Sequence, residues 1–277
     1  MINKPTFGKS VLSRTLFAFS FGLISPLISV LFSALFSALF SSGVSAQEPG
    51  SPQVIPFLTY HIGEPFIVNT ETRLGLTYEL ADALSKRSDG RFIFEVTPLP
   101  RLELNKRLIQ DPKVVIPWVN PAWFGDINQT KYLWTKGYME DSNSIISSPT
   151  NPIEYSGPPS LKGLTVAGQE GAKWVGLDTL VEDGRIKRVN TINYWETMRM
   201  VYFEKVDAGL LPTPIAKYLL AKRKLAGQIH FSSEPHSQFL RHLLTKGDEE
   251  VHAYLKSQIP YLQNSREWKS IMARYGQ

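Results

Sequence analysis

Residues 114–135 read VVIPWVNPAWFGDINQTKYLWT and contain three of the six tryptophans of the chain. The β-branched run Val114-Val115-Ile116 is typical of a strand that is buried on both faces. Pro117 has no backbone N–H, so it ends regular strand pairing. The stretch therefore predicts a central strand that opens into an aromatic, amide-bearing loop, which is how an α/β sheet builds a ligand crevice. An aromatic surface loop folded back on its own core is the alternative.

The first 46 residues have the features of a secretory signal peptide. Three basic residues precede an apolar run over about residues 16–40, and Val44-Ser45-Ala46 fits a cleavage site. We expect cleavage after Ala46 and export to the periplasm. The apolar run is longer than an ordinary signal-peptide core of about 7–15 residues. An uncleaved N-terminal membrane anchor is therefore the alternative.

The charge of the chain gives little support to a nucleic-acid partner. The formal net charge of +5 falls to +2 without the leader, because the leader carries three basic residues and no acidic one. The remaining basic residues are interspersed with acidic ones, apart from the cluster Lys222–Lys224, which is typical of a solvated helix end. The absence of cysteine excludes disulfides and Cys-ligated metals.

Strand and helix patterns alternate before the opening stretch. A strand over Val54–Tyr60, a helix over Tyr78–Ser88, a strand over Arg91–Thr97 and a helix over Leu102–Ile109 are predicted. This β-α-β-α-β order predicts a parallel sheet with helices on its faces.

A second α/β unit is predicted after the Pro-, Gly- and Ser-rich stretch Ser148–Ser160. Its predicted elements are the strand Leu164–Ala167, the helix Ala172–Glu182, the strand Ile186–Val189, the helix Tyr194–Phe203, the strand Val206–Leu211, a helix to about Lys224 and a return strand Gln228–Ser232. The remainder is predicted to be helical, beginning with Phe239–Thr245 and Glu249–Gln258. We expect two lobes around a cleft, with residues 47–142 and 231–277 in the first lobe and residues 143–230 in the second.

Five short motifs, taken in order, resemble the extracellular solute-binding proteins of family 3, the periplasmic receptors of polar amino-acid ABC importers. They are Tyr60–Phe66, Gly75–Ala81, Leu161–Val166, Val206–Ala208 and Ala273–Gly276. The resemblance implies the bilobal type II periplasmic-binding-protein fold, in which two α/β lobes joined by two crossover strands close on a small ligand. It further implies an ABC permease or a membrane sensor as a partner, and we expect a monomer without a cofactor.

The chain departs from that family where the family holds an α-amino acid. The family's Thr-x-x-Arg motif aligns with Asn120-Pro121-Ala122-Trp123, so that Trp123 replaces the arginine that grips the ligand carboxylate. The acid that would hold the ligand ammonium is replaced around Leu211-Pro212-Thr213. A zwitterionic amino acid is therefore a poor ligand, because burying its charges without partners costs several kcal/mol.

The predicted binding residues carry aromatic, amide or hydroxyl groups or stand at a helix start. They are Tyr60, Trp118, Asn120 and Trp123 in the first lobe, Gln169 and Gly171 at a predicted helix N-terminus in the second, and Thr213 as a weaker candidate. Aromatic faces with amides suit a ring-bearing, sugar-like or cationic ligand. The alternatives are a core position for Tyr60 and plain helix capping for Gln169 and Gly171. Trp174 and Trp195 fall within predicted helices and are expected in the core.

The sequence gives no specific sign of an enzyme. The five histidines show no His-x-x-x-His pair, and no Gly-x-Ser-x-Gly elbow, P-loop or Gly-x-Gly-x-x-Gly occurs. We therefore expect neither catalysis nor a metal. Glu64 could be a general acid if desolvated, although an exposed loop carboxylate is the simpler interpretation. A hydro-lyase on the same fold and an interaction module without a ligand are the alternatives.

Overall fold

A computed structural model of the chain describes residues 50–277. The predicted leader, residues 1–46, lies outside the described residues. Within residues 50–277 the chain forms ten strands, which are β1 (Gln53–Thr59), β2 (Phe92–Pro98), β3 (Val114–Val119), β4 (Leu133–Trp134), β5 (Met139–Ser147), β6 (Thr165–Gln169), β7 (Lys187–Thr191), β8 (Ala208–Pro212), β9 (His230–Phe231) and β10 (Ser237–Lys246). The same part of the chain forms seven α-helices, which are α1 (Leu76–Arg87), α2 (Arg101–Gln110), α3 (Asp178–Glu182), α4 (Tyr194–Tyr202), α5 (Thr213–Arg223), α6 (Glu249–Asn264) and α7 (Arg266–Arg274). None of the described helices is long and apolar enough to cross a bilayer.

The first lobe is built on a parallel sheet, as the alternating pattern predicts. β1 lies between β2 and β3 and pairs with both in parallel. Every residue of β3 is buried, which agrees with its unbroken apolar run. Helix α1 begins directly after Gly75, whose φ is +140°. A Cβ atom at Gly75 would lie 2.5 Å from the backbone oxygen of Phe66, so only glycine lets the helix start so close to that loop.

The second lobe has its own sheet and its own hydrophobic cores. β6 pairs in parallel with β7 and β8, and β8 pairs antiparallel with β5. One core cluster is centred on Trp174 and Leu177, and another on Met198 and Val201. The buried clusters of the first lobe draw on residues before Met139 and after Arg241 instead. The described chain is thus a bilobal α/β structure, while the lobe boundaries at 142/143 and 230/231 stay a prediction.

β10 joins the two lobes. Its first half, Ser237–Arg241, pairs antiparallel with β5 of the second-lobe sheet, and its second half, from His242 to Lys246, pairs antiparallel with β3. The prediction of a helix over Phe239–Thr245 is therefore wrong. Residues 241–245 are all buried, and a short buried run of this kind fits a central strand as well as a buried helix.

Two further predictions in the second lobe need correction. The helix predicted over Ala172–Glu182 is confined to Asp178–Glu182, because residues before it form turns that include Gly176 at a φ of +80°. The return strand predicted at Gln228–Ser232 is only the two-residue β9, and the actual return is β10.

The C-terminal helices return to the first lobe. Val251, Tyr254 and Leu255 of α6 and Trp268 of α7 belong to the same buried cluster as α1. The hydroxyl of Tyr275 donates a hydrogen bond of 3.0 Å to Oε1 of Glu79 on α1. These contacts fix the chain end against the first lobe.

Candidate functional site

A cleft of about 1150 Å³ is lined by residues of both lobes and of β10. The first lobe contributes the loop that follows β1, from Tyr60 to Glu64, together with Trp123. The second lobe contributes the end of β6, the start of α4 and one side of α5. Ser237, Phe239 and Arg241 of β10 lie between them. The cleft thus has one wall from each lobe and a strand that connects them.

The first-lobe wall of the cleft is aromatic. Tyr60 lies with its ring centroid 4.2 Å from that of His61, and Trp123 packs edge-on against Phe239 at 5.0 Å. Tyr60 and Trp123 are both half-buried, so part of each ring faces solvent. Burial raises the pKa of Tyr60, although the nearby Arg101 opposes this change. Tyr60 therefore stays a neutral phenol near pH 7.

Arg241 is the polar centre of the cleft floor. Its guanidinium forms a buried ion pair with Asp141 on β5 and also donates to the backbone oxygen of Trp118. The rings of Phe66, Trp123 and Phe239 surround it, with centroids 4.8, 5.5 and 5.5 Å from its central carbon. Burial raises the pKa of the Asp141 carboxyl, and the guanidinium opposes this change. The Arg241 charge is therefore compensated inside the protein.

His61 is a neutral acceptor next to Arg241. Nη1 of Arg241 lies 3.1 Å from Nε2 of His61, and a guanidinium nitrogen can only donate. Burial lowers the pKa of His61 well below its ordinary value, and the charge of Arg241 adds to this effect. The imidazole therefore has its Nε2 lone pair occupied and carries no charge near pH 7.

The second-lobe wall carries two cations that have no ionic partner. Arg223, at the end of α5, lies with its guanidinium carbon 4.6 Å from the ring centroid of Trp195. Lys173 lies in the segment after β6. Both side chains are exposed, and neither forms an ion pair with any residue in the described range 50–277. By contrast Glu64, a carboxylate in the cleft lining, is bound to Lys222 at 2.5 Å.

Three of the predicted site residues line this cleft, namely Tyr60, Trp123 and Gln169. The side chain of Gln169 lies on the second-lobe wall and its backbone oxygen accepts a hydrogen bond from Arg188. Whether these three residues bind a ligand stays a prediction.

Trp118 lies away from the cleft, in the core of the first lobe. Its side chain is fully buried, stacks on Trp268 and donates from Nε1 to the hydroxyl of Thr77 at 3.0 Å. The predicted role in ligand contact is therefore replaced by a packing role. The sequence prediction ended the strand at Pro117, but β3 continues to Val119, so Trp118 is a strand residue whose ring packs into the core.

Asn120, Gly171 and Thr213 also lie outside the cleft lining. The Asn120 amide accepts from the backbone N–H of Ala122 and donates to the backbone oxygen of Leu240, so it is used as a cap. Gly171 is exposed in a turn, because no helix begins there. Thr213 exchanges hydrogen bonds of 2.6 Å with Ser142 and Ser144, next to a separate cavity of about 480 Å³.

The sequence prediction missed the basic and second-lobe aromatic part of the lining. Trp195 was expected in the core, yet it lies half-buried at the cleft. Arg223 belongs to the basic cluster that was interpreted as a solvated helix end. Arg241 was hidden inside a predicted helix. The pairing of Trp195 with Arg223 requires two helices to meet, and no local pattern reports such a contact.

The described residues contain no group of three or more His, Asp or Glu side chains arranged to hold a metal ion.

Solved structures show which class of fold this is. No family model matches the sequence, and no curated protein matches it. A mutant of ArgBP from T. maritima has a TM-score of 0.57 at 16% identity, covering 80% of this chain and 94% of that chain. An ancestral cationic amino acid solute-binding protein, AncCDT-1, has a TM-score of 0.63 at 16% identity, covering 81% and 96%. The GluR0 ligand-binding core in complex with L-glutamate has a TM-score of 0.59 at 12% identity, covering 83% and 100%.

These similarities establish the fold. The chain has the bilobal type II periplasmic-binding-protein fold, and its structural neighbours are amino-acid-binding proteins and a receptor ligand-binding core. AncCDT-1 is also described as a precursor of cyclohexadienyl dehydratase. The fold alone is thus compatible with binding proteins and with an enzyme lineage.

Proposed function

We propose that this protein is a solute-binding receptor, which closes its lobes on a small organic ligand and does not transform it. The observation that carries the proposal is the cleft itself. Half-buried aromatic rings from both lobes, such as Trp123 and Trp195, line the same cavity, and β10 also contributes to its lining. A ligand that contacts both walls at once favours the closed arrangement, because only that arrangement provides all the contacts.

Two titratable groups of the cleft, Glu64 and His61, are placed in a way that favours binding over acid–base catalysis. The carboxylate of Glu64 is occupied by Lys222, and Nε2 of His61 is occupied by Arg241. A general acid or base needs a free position within hydrogen-bond reach of the substrate. A hydro-lyase that used Glu64 or His61 as its acid or base would have to break one of these contacts first.

A titration of the purified protein with pools of small solutes tests this proposal. Trp123 and Trp195 both line the cleft, so ligand binding should change the intrinsic fluorescence in a saturable manner without any product. Formation of a product would favour the hydro-lyase. The absence of any response to all pools would contradict the receptor and favour an interaction module.

We also propose that the protein is exported to the periplasm through the leader at residues 1–46, and that it acts as a monomer. It would present its ligand to a membrane partner, either an ABC permease or a sensor. N-terminal sequencing of the protein recovered from a periplasmic extract should begin at Gln47. An intact leader in the membrane fraction would instead identify an anchored form, and light scattering gives the oligomeric state.

A further inference from the structure

The cleft lining holds an uncompensated positive charge. Arg241 is neutralised by Asp141, and Glu64 by Lys222. When each lining group is counted with its partner, only the cations Lys173 and Arg223 remain. The two histidines of the lining add no charge near neutral pH, since burial lowers the pKa of both His61 and His236.

This balance disfavours a cationic ligand. A guanidinium or ammonium group in the cleft would meet Lys173 and Arg223, while the carboxylates of Glu64 and Asp141 are already paired. Like charges brought together at a binding surface weaken association strongly. This charge balance therefore does not suit arginine, which is the ligand of an ancestral arginine-binding protein of similar structure.

The cations stand beside flat aromatic surfaces. The guanidinium of Arg223 packs over the ring of Trp195, which leaves its N–H groups available for an anionic oxygen. The rings of Trp123, Tyr60 and Phe239 lie on the other side of the cleft and offer π-faces and edges to a planar group. The α4 N-terminus at Asn193 and Tyr194 lies on the cationic wall and carries the positive end of the helix dipole.

We infer that the ligand is an aromatic organic acid. Its carboxylate is held on the second-lobe wall by Lys173 and Arg223, and its ring packs against Trp195 and the first-lobe aromatics. This inference rests on the proposed receptor function and names the ligand class of that same cleft. It replaces the sugar-like and cationic classes, which the sequence alone left open.

A charge series on one ring tests the inference. Phenylacetate, phenylacetamide and phenethylamine differ mainly in charge, as do indole-3-acetate, indole-3-acetamide and tryptamine. Isothermal titration of the purified protein should give at least tenfold tighter binding of the acid than of the amide in one of the series. The amines should bind more weakly than the amides. The affinity for the acid should also fall with rising salt.

Two charge-removing variants locate the carboxylate. Arg223→Gln and Lys173→Gln should each lower the affinity for the acid about fivefold to tenfold, while the affinity for the amide stays within about twofold. Lys205→Gln removes the same charge from an exposed position of the second lobe outside the cleft lining, so it should change neither affinity.

The outcomes separate this inference from the receptor function. An amine or L-arginine that binds as tightly as the acids would overturn the inference and leave the receptor standing. The inference would also be overturned, with the receptor left standing, if a solute from the pools binds saturably and mass spectrometry identifies it as neutral or cationic. An aromatic acid identified in that way would support the inference. If no pool gives a response, the receptor function fails and the inference fails with it.

Discussion

Trp118, near the end of β3, and Trp123, just after it, are five residues apart, yet their side chains lie in different environments. Trp118 is fully buried between Phe66, Tyr138 and Trp268, and its backbone has a φ of +64°, where a residue other than glycine is uncommon. Trp123 is half-buried at the cleft. The turn at Trp118 sends one ring into the core and leaves the other beside the ligand space.

The first prediction contrasts these two tryptophans. Trp118→Ala should lower the free energy of unfolding by about 3–5 kcal/mol, because it empties a large buried volume. Trp123→Ala should cost clearly less, since part of its ring already meets solvent. Urea unfolding of both variants measures the difference. Equal losses would show that Trp123 is also a core residue.

The second prediction concerns Asp126, which organises the loop between β3 and β4. Its carboxylate accepts hydrogen bonds from the backbone N–H groups of Thr130, Lys131 and Tyr132 and from the indole of Trp134. Burial by itself raises the pKa of Asp126, but these hydrogen bonds outweigh it and hold the pKa below its ordinary value.

Asp126→Ala should therefore lower the free energy of unfolding by about 2–4 kcal/mol, because it leaves the buried indole N–H of Trp134 and three partly buried backbone N–H groups without their acceptor. Asp82→Ala is the matched control, since its pair with Arg73 is exposed. That control should change the free energy of unfolding by less than about 1 kcal/mol. A similar loss in both variants would contradict a special role for Asp126.

At the scale of the elements, β10 determines how the lobes are joined, and Arg241 lies where its pairing changes from β5 to β3. Arg241→Met should destabilise the protein by about 3–5 kcal/mol, because it leaves the buried carboxylate of Asp141 without its cation. Adding Asp141→Leu should recover most of this loss, since an apolar pair of similar volume replaces a buried ion pair well. Thermal unfolding of the single and double variants measures both effects. Recovery in the double variant would show that stability needs a matched pair of side chains and not the charges themselves.

Glu154 ties the segment before β6 to the segment after β9. The backbone N–H and the hydroxyl of Ser233 donate to it, and these bonds, followed by His230, lower the pKa of Glu154 to about 2. The pKa of a glutamate in an unfolded chain is about 4.3. A lowered folded-state pKa means that the stabilisation is complete above about pH 4.3 and is lost as the pH falls towards 2.

The next prediction follows from the lowered pKa of Glu154 in the folded protein. The stability difference between the wild type and Glu154→Gln should be largest near pH 6 and should shrink between about pH 4.3 and pH 2. Chemical unfolding at several pH values measures it. A difference that stays constant with pH would show that ionisation of the Glu154 carboxylate does not contribute to the stability of the protein. Glu170→Gln, which removes an exposed carboxylate from the same lobe, controls for the change in net charge.

The elements that the sequence predicted well are those with a clear local pattern. β1, β2, β3, α1 and α4 lie within a few residues of their predicted ranges, because each carries a local signal, such as the alternation of β2, the β-branched run of β3 or the helical spacing of α1. β10 was predicted as a helix, because its buried second half shows no alternation of apolar and polar residues. Its strand identity comes from pairing with β3 and β5, which are distant in sequence.

The cleft was predictable only in part. Tyr60 and Trp123 follow strand ends, and that position is a recognisable signal. Lys173 and Arg223 carry no such signal, because an exposed basic residue in a turn or at a helix end has the same local sequence whether it faces bulk water or a cleft. Only the tertiary arrangement, which places Arg223 over Trp195, distinguishes them.

For the whole molecule, one ion pair bridges the lobes at the cleft. Glu64 follows β1 of the first lobe, and Lys222 belongs to α5 of the second. Both side chains are partly exposed, so we expect a contribution of less than about 1 kcal/mol, which salt screens. This is still enough to change the ratio of open to closed molecules several-fold.

The last prediction is that Lys222→Met shifts the unliganded protein towards open conformations. Small-angle scattering at low salt should give a larger radius of gyration for this variant than for the wild type, and the difference should vanish at high salt. Lys205→Met, an exposed change away from the cleft, should leave the radius unchanged. No change for Lys222→Met at low salt would mean that the pair does not hold the lobes together.

The adjacency of β5 and β10 has an evolutionary consequence. The chain leaves the first lobe and returns to it through strands in which Asn143 faces Ser237, so the second lobe is one continuous insert whose two ends emerge side by side. Such an insert can be exchanged as a cassette, because its junctions are neighbours in space. Lys173, Trp195 and Arg223 all lie within it. A lineage could therefore acquire a new specificity by swapping a single gene segment, while the first lobe and the C-terminal helices stay untouched.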